Sequence, residues 1–295
     1  MSFPRPRSPA LAPALLLALL APAAPSAAAE TPWSHAQNAD VRLISGAVAD
    51  GVVEAGIEIR LAPGWKTYWR YPGDSGVPPR FDWSGSRNVA GVEVAFPAPR
   101  RFSDGASGFS IGYKGGSVLL PLRVRLAEPG RSARIDLSLD FAVCEALCVP
   151  VHAQASLDIP AGGEPASAAL AAARARVPAA VVLGPGPAPA LLSAEVIEQE
   201  ASPPGPAPGE ARAPAPLLVV TASVASEKAD LFVEGPDDSW ALPLPSRVLG
   251  PNGEARFTLE LDGLPSGETW EGKAVRLTLV DSDKAVEASV PLKRK

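Results

Sequence analysis

The chain has 295 residues, 46% of them hydrophobic and 20% charged, and a net charge of −5 at pH 7. An acidic balance with no basic footprint excludes a nucleic-acid partner, and this length suits two domains rather than one. With two cysteines, two histidines and one methionine, the initiator, the chain is poorly supplied with soft metal ligands, so no resident metal or other cofactor is expected.

Residues 1–29 read as a secretory signal peptide. Arg5 and Arg7 form the basic region, Leu11 to Leu20 the apolar core, and Ala27, Ala28 and Ala29 a small-residue cleavage site before Glu30. The apolar core is too short for a comfortable membrane span. The mature protein is therefore expected to be soluble and exported, into a compartment such as the periplasm where thiols oxidise.

Residues 30–160 pattern as a first all-β domain. Val41 to Ile44, Val52 to Leu61, Val89 to Phe96 and Val118 to Leu126 have strand character and are separated by turns rich in Gly, Pro, Asp and Ser. Pro121 predicts an edge or bulged strand for the last of these. The stretch Trp65 to Trp83 holds six aromatic residues in a Pro/Gly-rich setting, which either packs a small core or lines a recognition surface. Arg101 to Gly116 has the glycine content of a flexible loop.

The two cysteines lie four positions apart. Ile135 to Val143 and Val151 to Ile159 each alternate apolar and polar residues, so two strands meet at the pair. With Glu145, Ala146 and Leu147 as a three-residue loop, Cys144 and Cys148 face one another within disulfide reach. Parity puts both on the polar side of the hairpin, with Asp140 and His152, and neither is expected in the core. A loop this short stabilises by only about 2 kcal/mol, against about 4.7 for a 100-residue loop, and short exposed disulfides tend to be labile or catalytic. A redox-active pair, a structural staple and a pair of metal ligands all remain open on spacing alone. A neighbouring His152 would stabilise a thiolate at Cys148.

Residues 161–190 turn Ala/Pro-rich and read as a linker, with a short helix over Pro165 to Val177. Residues 191–295 are again β-patterned, at Leu191 to Ile197, Leu217 to Val224, Leu231 to Val233, Ala255 to Leu261, Val275 to Val280 and Val286 to Val290. A second Pro/Ala-rich run covers Ser202 to Pro216, and Asn252-Gly253 is a two-residue hairpin signal. This part has no cysteine and nothing with catalytic spacing, so a structural or partner-binding role is expected. The expected fold is all-β, two immunoglobulin-like sandwiches joined by the Ala/Pro-rich linker.

The run Phe141-Ala-Val-Cys-Glu-Ala-Leu-Cys-Val-Pro150, with Gly64-Trp-Lys-Thr-Tyr-Trp-Arg70 and the Phe102-to-Tyr113 loop, resembles the periplasmic N-terminal domain of the thiol:disulfide interchange protein DsbD, in its ScsB-like branch. The resemblance implies an immunoglobulin-like domain whose cysteine pair, here Cys144 and Cys148, relays reducing equivalents. It implies a membrane-embedded donor, thioredoxin-like proteins, and a periplasmic disulfide isomerase or cytochrome c maturation thioredoxin as client. Tyr68 matches an aromatic lining the site, and Asp104 opens the loop that caps the disulfide. Where the family cap carries an aromatic, Gly105, Ala106 and Ser107 stand here, which leaves Phe109 to shield the pair, with Tyr113 following it. The chain shows neither membrane helices nor a thioredoxin C-x-x-C, so the donor is expected to act in trans. The rival readings are a non-enzymatic binding module and a copper-handling protein.

Overall fold

The computed structural model describes residues 29–74, 76–104, 108–199 and 215–294. The signal-peptide reading, residue 29 apart, and residues 202–214 of the Pro/Ala-rich run lie outside them.

The strands of the first half are β1 (Ser34–Ala36), β2 (Ala39–Ala49), β3 (Val52–Leu61), β4 (Lys66–Gly73), β5 (Arg80–Asp82), β6 (Val89–Val94), β7 (Arg100–Ser103), β8 (Phe109–Lys114), β9 (Ser117–Leu126), β10 (Ala133–Cys144) and β11 (Cys148–Ile159). After helix α1 (Ala168–Arg174) come β12 (Ala179–Ala180), β13 (Ala190–Ile197), β14 (Leu217–Ser223), β15 (Asp230–Glu234), β16 (Ser246–Leu249), β17 (Glu254–Glu260), β18 (Ala274–Asp281) and β19 (Lys284–Pro291). The chain is all-β, as its alternating pattern predicts.

One sheet has the order β1-β2-β3-β9-β6 and a second β11-β10-β4-β8-β7, with β5 also on β10. Their inner faces meet in one apolar cluster that includes Leu43, Ile57, Leu122, Trp69, Ile135 and Leu139. Two further sheets, β12-β19-β18-β15 and β13-β14-β17-β16, enclose a second cluster around Leu218, Leu231, Phe257 and Leu277. These are the two sandwiches.

β10 and β11 pair in unbroken register from Ala133 opposite Ile159 to Cys144 opposite Cys148, as period-two alternation on both strands demands. Three expectations need correction here. β9 is an interior strand between β3 and β6, not an edge. Pro121 is tolerated there because its carbonyl accepts from Ala95 N–H just past the end of β6. Its nitrogen points the same way, so the missing donor falls where the ladder is already ending. The helix runs from Ala168 rather than Pro165, capped by the Ser167 side chain on Leu170 N–H. Arg101 to Gly116 is mostly the β7–β8 hairpin rather than a loop, with only residues 104–108 connecting the strands. Of the two readings of the aromatic stretch, packing holds: Trp69 is fully buried, and Trp65, Tyr71, Phe81 and Trp83 lie against the first core.

In the second half, Asn252 and Gly253 both take the positive φ their sequence signals, but β16 and β17 are joined by residues 250–253, with Leu249 opposite Ala255, rather than by a two-residue turn. β15 binds the two sandwiches together. Leu231 and Val233 enter the second core, while Phe232 between them points the other way and belongs to the first. Its ring lies 5.9 Å from that of Trp69. Arg70 pairs with Glu234 and Glu287, Arg101 with Asp230, and Tyr71 Oη donates to Leu242 O at 2.7 Å. Phe232→Ala is expected to cost about 3–5 kcal/mol in urea unfolding. A loss under about 1 kcal/mol would show that this ring does not hold the two sandwiches together.

Candidate functional site

The site forms where the β10–β11 hairpin meets β4. Only Val143 and Cys144 of β10 pair with β4, opposite Thr67 and Lys66. Residues on β4 alternate, so Thr67 and Trp69 turn to the core while Lys66 and Tyr68 turn to the face that carries Cys144. Thr67 Oγ1 donates to Ala142 O at 2.9 Å and fastens the two strands. On the other side of β4, Gly112 of β8 stands opposite Tyr68. A Cβ at Gly112 would lie 1.9 Å from Thr67 O, so no other residue fits without moving a strand.

Cys144 and Cys148 form a disulfide with their Cα atoms 4.2 Å apart. The two sulfurs have different surroundings, which corrects the expectation that both lie open. Cys144 is 2% exposed, in a small cluster with Tyr68 and Ala142 that is separate from the main core, whereas Cys148 is exposed. Parity identifies the correct face. It does not reveal that Tyr68, arriving from a strand distant in sequence, covers half of the pair.

Tyr68 Oη lies 2.7 Å from Cys144 Sγ and 3.1 Å from Cys148 Sγ. Disulfide sulfurs carry no proton, so the phenol is the donor. Burial, reinforced by the Asp104 charge, raises the Tyr68 pKa above the ordinary phenol value and keeps it protonated.

Beside it Lys66, 7% exposed, pairs with Asp104 and donates to Ser110 Oγ at 2.8 Å. Asp104 N–H bonds Gly108 O at 2.9 Å, and Asp74 Oδ2 accepts from Phe109 N–H at 3.2 Å. The connection between β7 and β8 is thus fastened at both ends. Its central residues, 105–107, lie outside the described ones.

The other sequence-derived residues sit further off. The Phe109 ring lies 5.8 Å from the Arg101 guanidinium. Tyr113 pairs with Thr67, so it shares the core-side face rather than that of Tyr68, and its hydroxyl donates to Pro97 O at 2.8 Å. His152 Nδ1 lies 2.7 Å from Asp140 Oδ1. Four residues along β11 put His152 about 13 Å from Cys148. Lys66 and Gly112 are the residues that sequence reasoning passed over. A lysine inside the aromatic run Trp65-Lys66-Thr67-Tyr68-Trp69 is the only trace it left.

Thiol exchange needs one sulfur open to an incoming thiolate and a second held in reserve, and the hairpin divides the pair in that way. Together with its fold, this makes the first sandwich a thiol-disulfide interchange domain. Residues 36–160 match the family model for the thiol:disulfide interchange protein DsbD, N-terminal, and this segment of the chain belongs to that family. The crystal structure of the N-terminal periplasmic domain of ScsB from Proteus mirabilis shares the fold. It has a TM-score of 0.66 at 20% identity, covering 91% of this chain and 100% of that one. The C-terminal domain of the Streptococcus agalactiae AgI/II polypeptide BspA, at 8% identity over 83% of this chain and 94% of that one, has a TM-score of 0.14 and carries no argument. No curated protein sequence gives a significant match. Among the described residues no helix is long and apolar enough to cross a membrane.

The chain has three tyrosines, Tyr68, Tyr71 and Tyr113, and burial raises all three phenols, Tyr71 to about 12. The unfolded chain ionises them near 10, so stability is full below that pH and is lost as pH rises toward 12. Titration followed at the phenolate absorbance should show no tyrosine ionising near pH 10 before the fold itself gives way. A reversible phenolate step near pH 10 in the folded protein would contradict this burial.

Proposed function

We propose that the chain is a periplasmic carrier of reducing equivalents, exchanging them through Cys144 and Cys148 with thioredoxin-like proteins. In the reduced state the Cys148 thiolate attacks a client disulfide and the client's other sulfur leaves as a thiolate. The Cys144 thiolate then attacks Cys148 Sγ in the mixed disulfide, releasing the client as a dithiol and restoring the pair's own disulfide. Two electrons pass to the client, and a donor in trans, membrane-embedded or thioredoxin-like, returns them to the pair.

The observation that carries this reading is the unequal access of the two sulfurs: Cys148 is exposed and Cys144 is 2% exposed. Tyr68 suits the role of thiolate donor, since its protonated hydroxyl stands within 3.1 Å of Cys148 Sγ. Asp104, paired with Lys66, fixes the start of the β7–β8 connection. Export to the periplasm is the setting in which an exposed dithiol would need such a supply of electrons.

Equilibration with a thiol redox buffer should give a reduction potential of roughly −200 to −270 mV. A value below about −300 mV would make the disulfide structural and leave a binding module. The cysteine roles have their own test: Cys144→Ser should accumulate a mixed disulfide with oxidised client and Cys148→Ser should not, and the reverse pattern would exchange the two assignments. In the reduced protein Tyr68→Phe should raise the Cys148 thiol pKa by on the order of one to two units, since hydrogen bonds to charged groups contribute about 1.5–3 kcal/mol. An unchanged alkylation pH profile would remove Tyr68 from the mechanism.

A further inference from the structure

The face that carries the cysteines continues beyond them. Cross-strand partners share a face, so the row Cys148, Cys144, Lys66, Lys114 crosses β11, β10, β4 and β8 in order. The next row runs from Tyr68 through Gly112 to Arg100 of β7. At strand spacing, Lys114 and Arg100 stand roughly 10 Å from Cys144 and Tyr68 respectively, and Gly112 places no side chain between Tyr68 and Arg100.

Lys114 and Arg100 open onto a cleft of about 500 Å³ between β7, β8, β9 and α1, and Arg176, just beyond α1, lines its far wall. The chain as a whole is acidic, and the part-buried arginines Arg42, Arg70 and Arg101 are tied to carboxylates, as are Arg60 and Arg134. Among the described residues, Arg100, Lys114 and Arg176 have no such partner and are exposed. The single carboxylate on the wall, Glu58, is taken by Arg42 at 2.7 Å. Phe102 and Val118 supply apolar wall between the cations, which suits a peptide segment better than a bare inorganic anion.

We infer that this cleft is a docking site for an acidic segment of the partner protein, placed so that a partner held there presents its cysteines to Cys148. The inference rests on the interchange reading above and adds the chemistry of the partner's surface. Three convergent cations in a partly walled cleft raise the rate of encounter with an acidic partner more than they raise final affinity.

The test uses the full chain and the variant Arg100→Gln/Lys114→Gln/Arg176→Gln, whose changes are all at exposed positions. In the first arm, a fluorescein-labelled, cysteine-free, Glu-rich peptide and its Gln counterpart are titrated with the oxidised protein at low salt. The Glu peptide should bind, the Gln peptide should not, and the triple variant should weaken binding by roughly tenfold, as the loss of three exposed ion pairs allows. In the second arm, the reduced protein reacts with disulfide-linked dimers of Glu-flanked and Gln-flanked cysteine peptides. The Glu dimer should react roughly tenfold faster at low salt. That advantage should vanish in the triple variant and at high salt, while the Gln-dimer rate and the reduction potential stay unchanged. No binding of the Glu peptide, binding that survives the triple substitution, or binding without a rate advantage would each overturn the docking site. Failure of both dimers to react would overturn the interchange reading and with it the docking role, while the first arm still decides whether the cleft holds acidic peptide.

Discussion

Val143 and Cys144 are the only residues of β10 that pair with β4, and the properties of the site follow from that short seam. It brings Lys66 and Tyr68 alongside a hairpin that would otherwise carry an isolated crosslink, and it divides two chemically identical sulfurs into one covered and one exposed. The seam is held on the core side by Thr67 on the Ala142 carbonyl and from behind by the close approach of β8 at Gly112. Each of these ties is a backbone or near-backbone contact, so the position of the phenol over the sulfurs is set by the sheet rather than by a flexible loop.

The polar groups around the seam are costly to bury and are satisfied together. Lys66 would carry a large desolvation penalty alone; it is balanced by Asp104 and Ser110. Removing either Lys66 or Asp104 would leave an uncompensated charge beside the disulfide, so the two act as a unit. Asp104 has two effects: through Lys66 it fixes the start of the β7–β8 connection, and its charge opposes ionisation of the neighbouring phenol.

Much of the fold was legible in the sequence because its central hairpin buries one face only. Ile135, Leu137, Leu139 and Phe141 alternate with Asp136, Ser138 and Asp140, and that alternation fixes the register of β10 and hence the opposition of the cysteines. β4 was illegible for the opposite reason. It is covered on both sides, so Lys66, Thr67, Tyr68 and Trp69 are all buried in succession, and no alternation survives to announce a strand. Tyr68 was reached only through family resemblance. Lys66 was not reached at all, because a buried lysine is recognisable only once its partner Asp104, far along the chain, is in place. Pro121 misled for a local reason: the sequence shows a missing donor but not where the neighbouring ladder ends.

The junction at Trp69 and Arg70 bears on where this chain can be divided. β4 supplies one wall of the sulfur site with Lys66 and Tyr68, and with the next residues it seats the second sandwich through Phe232, Glu234 and Glu287. Cutting after Ile159 would leave every residue of the sulfur site in place, yet it would strip the cover from an indole and leave a guanidinium without its two carboxylates. The boundary of the chemistry and the boundary of the folding unit therefore do not coincide. The segment that matches the family is shorter than the piece of chain needed to keep its own fourth strand dry.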